Sequence, residues 1–246
     1  MSGATFEDAW VAVAAVDGWM TEGQGRALYE AAAACPSGGR IVEIGSYQGR
    51  STIVLALAAA SNVEIIAIDP HAGNDRGPQE IDGYEDAASD DHATFEANLT
   101  AAGVRDRVTH VREFSDAAHT SVDGEIDVLY IDGAHRYAPA RTDIRDWGAR
   151  VRTGGTMLIH DSFSSIGVTG AIMRELLLSD RFRYVTRSRS LAVYRADPGE
   201  GRASSALHQI AQLPWFIKNV GLKVVLTAGL GKVMTKLGRK RPDWPY

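Results

Sequence analysis

Four residues in the second half of the chain have the types and spacing to do chemistry. Asp132 closes the apolar run of residues 126–131, and His135 follows it three positions later in Asp132-Gly133-Ala134-His135. His160-Asp161 closes a second run, after Thr156-Met157-Leu158-Ile159. Two carboxylates with adjoining histidines make a hard ligand set, suited to Mg²⁺ or a similar oxygen-preferring divalent ion. Such an ion lowers the pKa of a hydroxyl that it binds. Asp132, Asp161 and His160 are the expected metal ligands. Asp132 and His135 are the expected catalytic residues, with His135 within reach as general base. Taken singly, His160 reads as a hydrogen-bonded histidine at a strand end and Asp161 as a helix N-cap. Their coincidence with Asp132 and His135 is what points to a site.

These residues meet only if their runs are parallel strands of one sheet, whose carboxyl ends share a crevice. The first half of the chain supplies the matching parts. Ile41-Val42-Glu43-Ile44 is a short β-branched run, read as a strand buried on both faces. Gly45 and Gly49 follow, then Ser51-Thr52 and a helix-like apolar segment over residues 53–58. Strand, glycine turn and helix in that order form the first βα turn of a nucleotide-binding sheet, with glycine admitting a ligand close to the backbone. The turn lacks the third glycine of a dinucleotide fingerprint, and Arg50 stands where a phosphate-binding loop needs lysine. Glu43 sits badly against a pyrophosphate and well against a cation, such as the methionine amine of S-adenosylmethionine. Residues 65–68 form a second buried strand ending in Asp69, placed to accept two ribose hydroxyls. The expected cofactor contacts are Glu43, Gly45, Ser46, Tyr47, Gly49, Ser51, Asp69, Asp132, and Ser115 in the loop beside the adenine.

Three segments together, Ile-Val-Glu-Ile-Gly-Ser-Tyr-Gln-Gly-Arg-Ser-Thr, Leu-Tyr-Ile-Asp-Gly-Ala-His-Arg-Tyr and Gly-Gly-Thr-Met-Leu-Ile-His-Asp-Ser, resemble the class I methyltransferases whose signature is Ile-Asp-Gly-x-His-x-Tyr. The resemblance spans about residues 18–194. It implies S-adenosylmethionine, often Mg²⁺, and a hydroxyl acceptor, a sugar being favoured by likeness to macrolide-sugar and polymethylated-polysaccharide enzymes. Some macrolide-sugar enzymes hold their metal with an aspartate at the Asp132 position and two adjacent acidic residues. Asp132 and Asp161 match that pattern, and His160 replaces the first acidic residue. A non-methylating, hydroxylase-like relative and a methyltransferase of non-sugar hydroxyls are the competing readings.

The alternation of strands and helices gives an α/β doubly wound, Rossmann-like sheet with an antiparallel hairpin at residues 184–194. Helical segments are expected over residues 6–16, 21–35 and 92–102, then after Tyr137 through Ile144 and Trp147, and over residues 170–178. The turn Thr153-Gly154-Gly155 should close the fourth of these. Residues 70–91, rich in Gly, Asp and Glu, read as a lid over the site. Cys35 is the only cysteine and reads as a core residue in a reducing compartment. The net charge of −5 argues against a nucleic-acid partner. The acidic first residues do not form a signal peptide, and no apolar span reaches membrane-crossing length, so a cytoplasmic location is expected. Residues 1–200 are taken as the methyltransferase domain. Residues 201–246 are a basic amphipathic helical extension, expected to pack on the domain or at a homodimer interface, with peripheral membrane contact as the alternative.

Overall fold

The computed structural model describes residues 4–72, 85–199 and 201–227. Its centre is one seven-stranded sheet in the order β3-β2-β1-β4-β5-β7-β6. The strands are β1 (Arg40–Ile44), β2 (Glu64–Ile68), β3 (Val108–Val111), β4 (Ile126–Ile131), β5 (Val151–Ile159), β6 (Phe182–Ser188) and β7 (Leu191–Ala196). Strands β1 to β5 pair in parallel, and β7 runs antiparallel between β5 and β6. The order reverses between β1 and β4, so the crevice opens where the first glycine turn and Asp132 lie side by side.

The helices are α1 (Phe6–Ala12), α2 (Glu22–Ala33), α3 (Arg50–Ala58), α4 (Glu85–Ala101), α5 (Tyr137–Thr142), α6 (Ile166–Glu175), α7 (Arg202–Ile210) and α8 (Leu213–Thr227). Helices α1 and α2 start at capping boxes, Thr5 with Asp8 and Thr21 with Gln24, where side chain and backbone satisfy each other's free groups. Two apolar layers cover the two faces of the sheet. One contains Ile41, Ile53, Leu55, Phe95, Leu99 and Tyr130, and the other Val42, Ile44, Ile131, Ile144, Trp147 and Ile159. Each fully buried side chain of this size contributes on the order of 1.5–3 kcal/mol. Cys35 is buried in the first layer.

Several boundaries differ from the sequence reading. Thr153-Gly154-Gly155 is no turn but lies inside β5. Ile126 and Val128 of β4 face Val151 and Thr156, so three extra residues bulge out of β5, with Gly154 at φ +78°. The helical segment after His135 starts at α5 and continues as a π turn over Asp143–Trp147 and a 3₁₀ turn over Gly148–Arg150. Helix α6 begins at Ile166, four residues before the expected start. Helix α4 begins at Glu85, so residues 85–91 are helical, and the remainder of the expected lid lies outside the described residues beyond Ala72.

Helix α7 rests against β6: the Tyr184 N–H donates to Ser205 Oγ at 2.9 Å, and Gln209 Nε2 donates to the Leu176 carbonyl at 3.2 Å. Trp215 and Phe216 of α8 pack against the core, while Leu207 and Ile210, expected on the packed face, are exposed. The polar pair Ser205 and Gln209 takes that face instead, because it satisfies β6 and α6 backbone groups. Most of the basic residues expected in the tail lie outside the described residues. Among the described residues no helix is long and apolar enough to cross a membrane.

Candidate active site

The glycine turn is built by contacts within the protein. Gly45, at φ +86°, brings the end of β1 against the end of β4, and a Cβ there would stand 2.2 Å from the Asp132 carbonyl oxygen. Gly49, also left-handed, seats the start of α3 against Leu99 and Phe95 of α4. Glu43 lies wholly buried beneath the turn, and both its oxygens accept hydroxyl hydrogen bonds, one from Ser51 and one from Thr52. Burial pushes its carboxyl up to about 8 in spite of those two bonds, with Asp132 and Asp69 adding to the rise. Glu43 and Ser51 therefore spend their polar atoms on each other. Glu43, expected at a cationic ligand, is bonded at both oxygens to the first turn of α3.

The open side of the turn is Ser46, Tyr47 and Asp69. Ser46 Oγ is buried with no hydrogen-bond partner, an unspent polar atom at the crevice. Asp69 accepts the Tyr47 N–H at Oδ2 and the His71 N–H at Oδ1, both at 2.8 Å, which fixes its carboxylate at the end of β2. Tyr47 and His71 take positive φ values of 47° and 46°, an uncommon conformation for such residues that concentrates at functional sites. Helix α4 braces the turn: Gln48 Nε2 donates to buried Asp91, and Asn98 Nδ2 donates to the Gln48 carbonyl, each at 2.9 Å. An unspent hydroxyl and a fixed carboxylate separated by a glycine turn fit the ribose and methionine ends of S-adenosylmethionine. Ser115 donates to Asp143 Oδ1 at 2.6 Å, and its carbonyl accepts from Trp147 Nε1, so this loop is tied to the π turn. Burial raises Asp143 to about 6.

Across the switch point the ends of β4 and β5 deliver a second cluster. Asp132, His135 and Asp161 each offer a ligand atom, all within 4.8 Å of one another. His135 Nε2 lies 2.9 Å from Asp161 Oδ2. Tyr130 donates to Asp132 Oδ2 at 2.7 Å, and burial with the Asp132 charge holds its phenol well above the ordinary value, as a permanent donor. Asp161 has a positive φ of 53°, and the N-cap of α6 is Ser165, so Asp161 is not the cap. Burial alone would raise the Asp161 carboxyl, but His135 and His160 outweigh it and hold it well below the usual carboxylate range. Burial likewise opposes a proton on His135, and Asp161 overcomes it, raising its pKa.

His135 joins Asp132 and Asp161 as a group able to offer a ligand atom, and His160, an expected ligand, lies beside the two carboxylates. Its ring is buried, with Nδ1 3.1 Å from Asp132 Oδ1 and 3.4 Å from Asp161 Oδ2. Its Nε2 faces Gln24 Nε2 at 3.3 Å. The Gln24 amide is oriented by the capping box, because Oε1 accepts the Thr21 N–H, leaving Nε2 to donate to His160 and Ser190. An Nε2 that accepts from Gln24 leaves the ring proton on Nδ1, aimed between the two carboxylates. Burial disfavours charge on this ring, and the two carboxylates outweigh it, raising its pKa well above the ordinary value. His160 Nδ1 stands near both carboxylates without meeting either in hydrogen-bond geometry, and the ring lies behind Asp132 and Asp161. Its charge also relieves their mutual repulsion. Gln24, Thr52 and Tyr130 are site-building residues that the sequence reading missed. Of these, only the Thr21-x-x-Gln24 spacing left a trace, as a helix start.

A family model described as a methyltransferase domain matches residues 42–162, the span from β1 through Ser162 that carries both clusters. Solved structures of similar fold include the O-methyltransferase TomG from Streptomyces achromogenes, involved in tomaymycin synthesis and solved in complex with SAM. It is 18% identical over 79% of this chain and 92% of that one, with a TM-score of 0.52. The O-methyltransferase NovP is 16% identical over 72% and 80% of the two chains, with a TM-score of 0.56. An O-methyltransferase from Bacillus cereus, solved with SAH, is 18% identical over 77% and 87%, with a TM-score of 0.50. The sheet order and the glycine turn are those of the methyltransferase fold of these structures, and the methyltransferase-domain model matches the part of the chain that carries them.

Proposed function

We propose that the protein is an O-methyltransferase that passes the methyl group of S-adenosylmethionine to a hydroxyl of a saccharide. The observation that carries this reading is the convergence of Asp132, His135 and Asp161 at the ends of β4 and β5, across the switch point from the glycine turn. Methyl transfer to a hydroxyl needs a proton acceptor beside the nucleophilic oxygen. With Nε2 engaged by Asp161, His135 keeps Nδ1 for the acceptor hydroxyl, and Asp161 stabilises the imidazolium that results. As the new C–O bond forms the S–CH₃ bond breaks, the sulfonium electrons return to sulfur, and the hydroxyl proton rests on His135. The named O-methyltransferases of similar fold support a hydroxyl acceptor. Its saccharide nature rests on the likeness of the three segments to macrolide-sugar and polymethylated-polysaccharide enzymes.

Asp132 and Asp161 supply two carboxylates to which Mg²⁺ fits, and the ion, when bound there, would lower the acceptor's pKa. His160 favours a second reading, a metal-free dyad, since its Nδ1 already stands between the two carboxylates. Incubation with labelled S-adenosylmethionine and a panel of saccharides and non-sugar alcohols, with EDTA or Mg²⁺, separates these readings. A methyl ether on a saccharide, lost in EDTA and restored by Mg²⁺, supports the first reading. Full turnover in EDTA supports the dyad. Transfer only to non-sugar alcohols overturns the saccharide assignment.

A further inference from the structure

A second group of ligating side chains lies on the far side of Asp69, away from the proposed chemistry. His92 and Glu96 stand one turn apart on α4, and His110 reaches them from β3. Each offers one ligand atom, all within 4.8 Å of one another. His71 adds a third imidazole, with ring centroids 5.4 Å from His92 and 5.0 Å from His110. We infer that His92, Glu96 and His110, with His71 alongside, form a binding site for a divalent transition ion of the zinc class.

The hydrogen bonds of the rings give the argument. His110 Nε2 lies 3.2 Å from the Asp69 carbonyl and His71 Nε2 lies 2.7 Å from the Tyr47 carbonyl. A carbonyl only accepts, so both rings carry their proton on Nε2 and present a lone pair at Nδ1. Imidazoles that ligate metals have this arrangement, with the second nitrogen donating to a backbone carbonyl. The Nδ1 of His71 is buried and has no hydrogen-bond partner, with Asp69 Oδ1 3.9 Å away. Glu96 is divided in the same way: Arg105 takes Oε2, and Oε1 stands 3.9 Å from His92 Nε2.

Arg105 and Arg112 lie close enough to oppose a cation held by charge alone, which disfavours Mg²⁺ and Ca²⁺. An ion that gains from imidazole donation suits this set. Tetrahedral zinc with bonds of about 2.0–2.1 Å brings its ligand atoms to roughly 3.4 Å from one another, so the side chains close by about 1 Å on binding. Such an ion would tie α4 to β3 beside the Asp69 carboxylate. The alternative is a stack of packed rings, His92 on His110 at 5.3 Å and Phe95 on His110 at 4.8 Å.

Calorimetric titration of the metal-stripped full chain with Zn²⁺ tests the inference, together with zinc X-ray absorption at one equivalent. In the Asp161→Asn background, which weakens the other cluster, one Zn²⁺ should still bind, with two or more imidazoles in its first shell. His92→Phe keeps the ring packing and removes a ligand, and it should weaken Zn²⁺ by on the order of 100-fold, the upper range even for loss of an outer partner. Unchanged Zn²⁺ affinity in His92→Phe, or one imidazole or none in the absorption spectrum, overturns the site. The spectrum needs no substitution in the site, so it decides the question even if His92→Phe does not fold.

Discussion

Glu43→Gln isolates the buried carboxyl beneath the glycine turn. Glu43 is fully buried and held up to about 8 by that burial, against an ordinary value of 4.5. Below pH 4.5 it is protonated in both folded and unfolded chains and adds no pH dependence. Between 4.5 and 8 the unfolded chain loses the proton while the native one keeps it, so the native state binds more protons and stability falls as pH rises. The interval spans roughly 3.5 pH units, and at ~1.4 kcal/mol per unit the wild type gives up on the order of 5 kcal/mol by pH 8. Glutamine has nearly the same shape, with an acceptor oxygen and an NH₂ group that carries one donor more than the protonated acid, so it meets the Ser51 and Thr52 hydroxyls without a charge. The two proteins should therefore unfold at nearly equal urea concentrations at pH 5, and Glu43→Gln should gain on the wild type steadily up to pH 8. Denaturant unfolding at whole-unit pH steps measures this. A difference that does not change with pH would refute the reasoning, because it would mean that the two hydroxyls hold Glu43 ionised in the native state.

Three other outcomes follow from the same geometry. His135→Ala should leave S-adenosylmethionine affinity within a few-fold, by calorimetry, while lowering methyl transfer by about 10²–10⁴-fold, the range of a positioned general base. Gly45→Ala places a Cβ 2.2 Å from the Asp132 carbonyl oxygen at a left-handed position. It should cost roughly 2–5 kcal/mol, left-handed strain plus overpacking, seen as a lowered melting temperature. Gln24→Leu leaves the Thr21 N–H without its side-chain acceptor and His160 Nε2 and Ser190 Oγ without their donor. It should destabilise by about 1–3 kcal/mol per group left unpaired in denaturant unfolding.

The strands were legible because short β-branched runs bounded by glycine and aspartate have few other uses, and β4 runs over the expected residues 126–131. Glycine was the main source of error. Gly154 looks the same in a turn and in a bulge, and only the pairing of Ile126 and Val128 tells them apart. The expected helix began at Gly170, yet Gly167 already lies inside α6, where a Cβ would meet the His135 carbonyl oxygen at 2.2 Å. The acidic residues 85–91 show no apolar stripe, which hid the first turns of α4. In the site, Asp132, His135 and Asp161 were legible as residues at strand ends. The place of His160 was not, since it depends on the amide of Gln24, 136 positions away. The burial of Glu43 followed from its place in a strand buried on both faces, but its pairing with Ser51 and Thr52 did not, since those bonds depend on how α3 packs over the turn.

The most direct measurement is a calorimetric titration of the full chain with S-adenosylmethionine, repeated on Asp69→Ala. Asp69 stands at the end of β2 with its carboxylate fixed by the Tyr47 and His71 amides. One site per chain is expected, weakened by about 1–3 kcal/mol in Asp69→Ala, the scale of a charge-assisted hydrogen bond. Absence of binding, or an affinity that Asp69→Ala leaves unchanged, would contradict the placement of the cofactor between the glycine turn and β2.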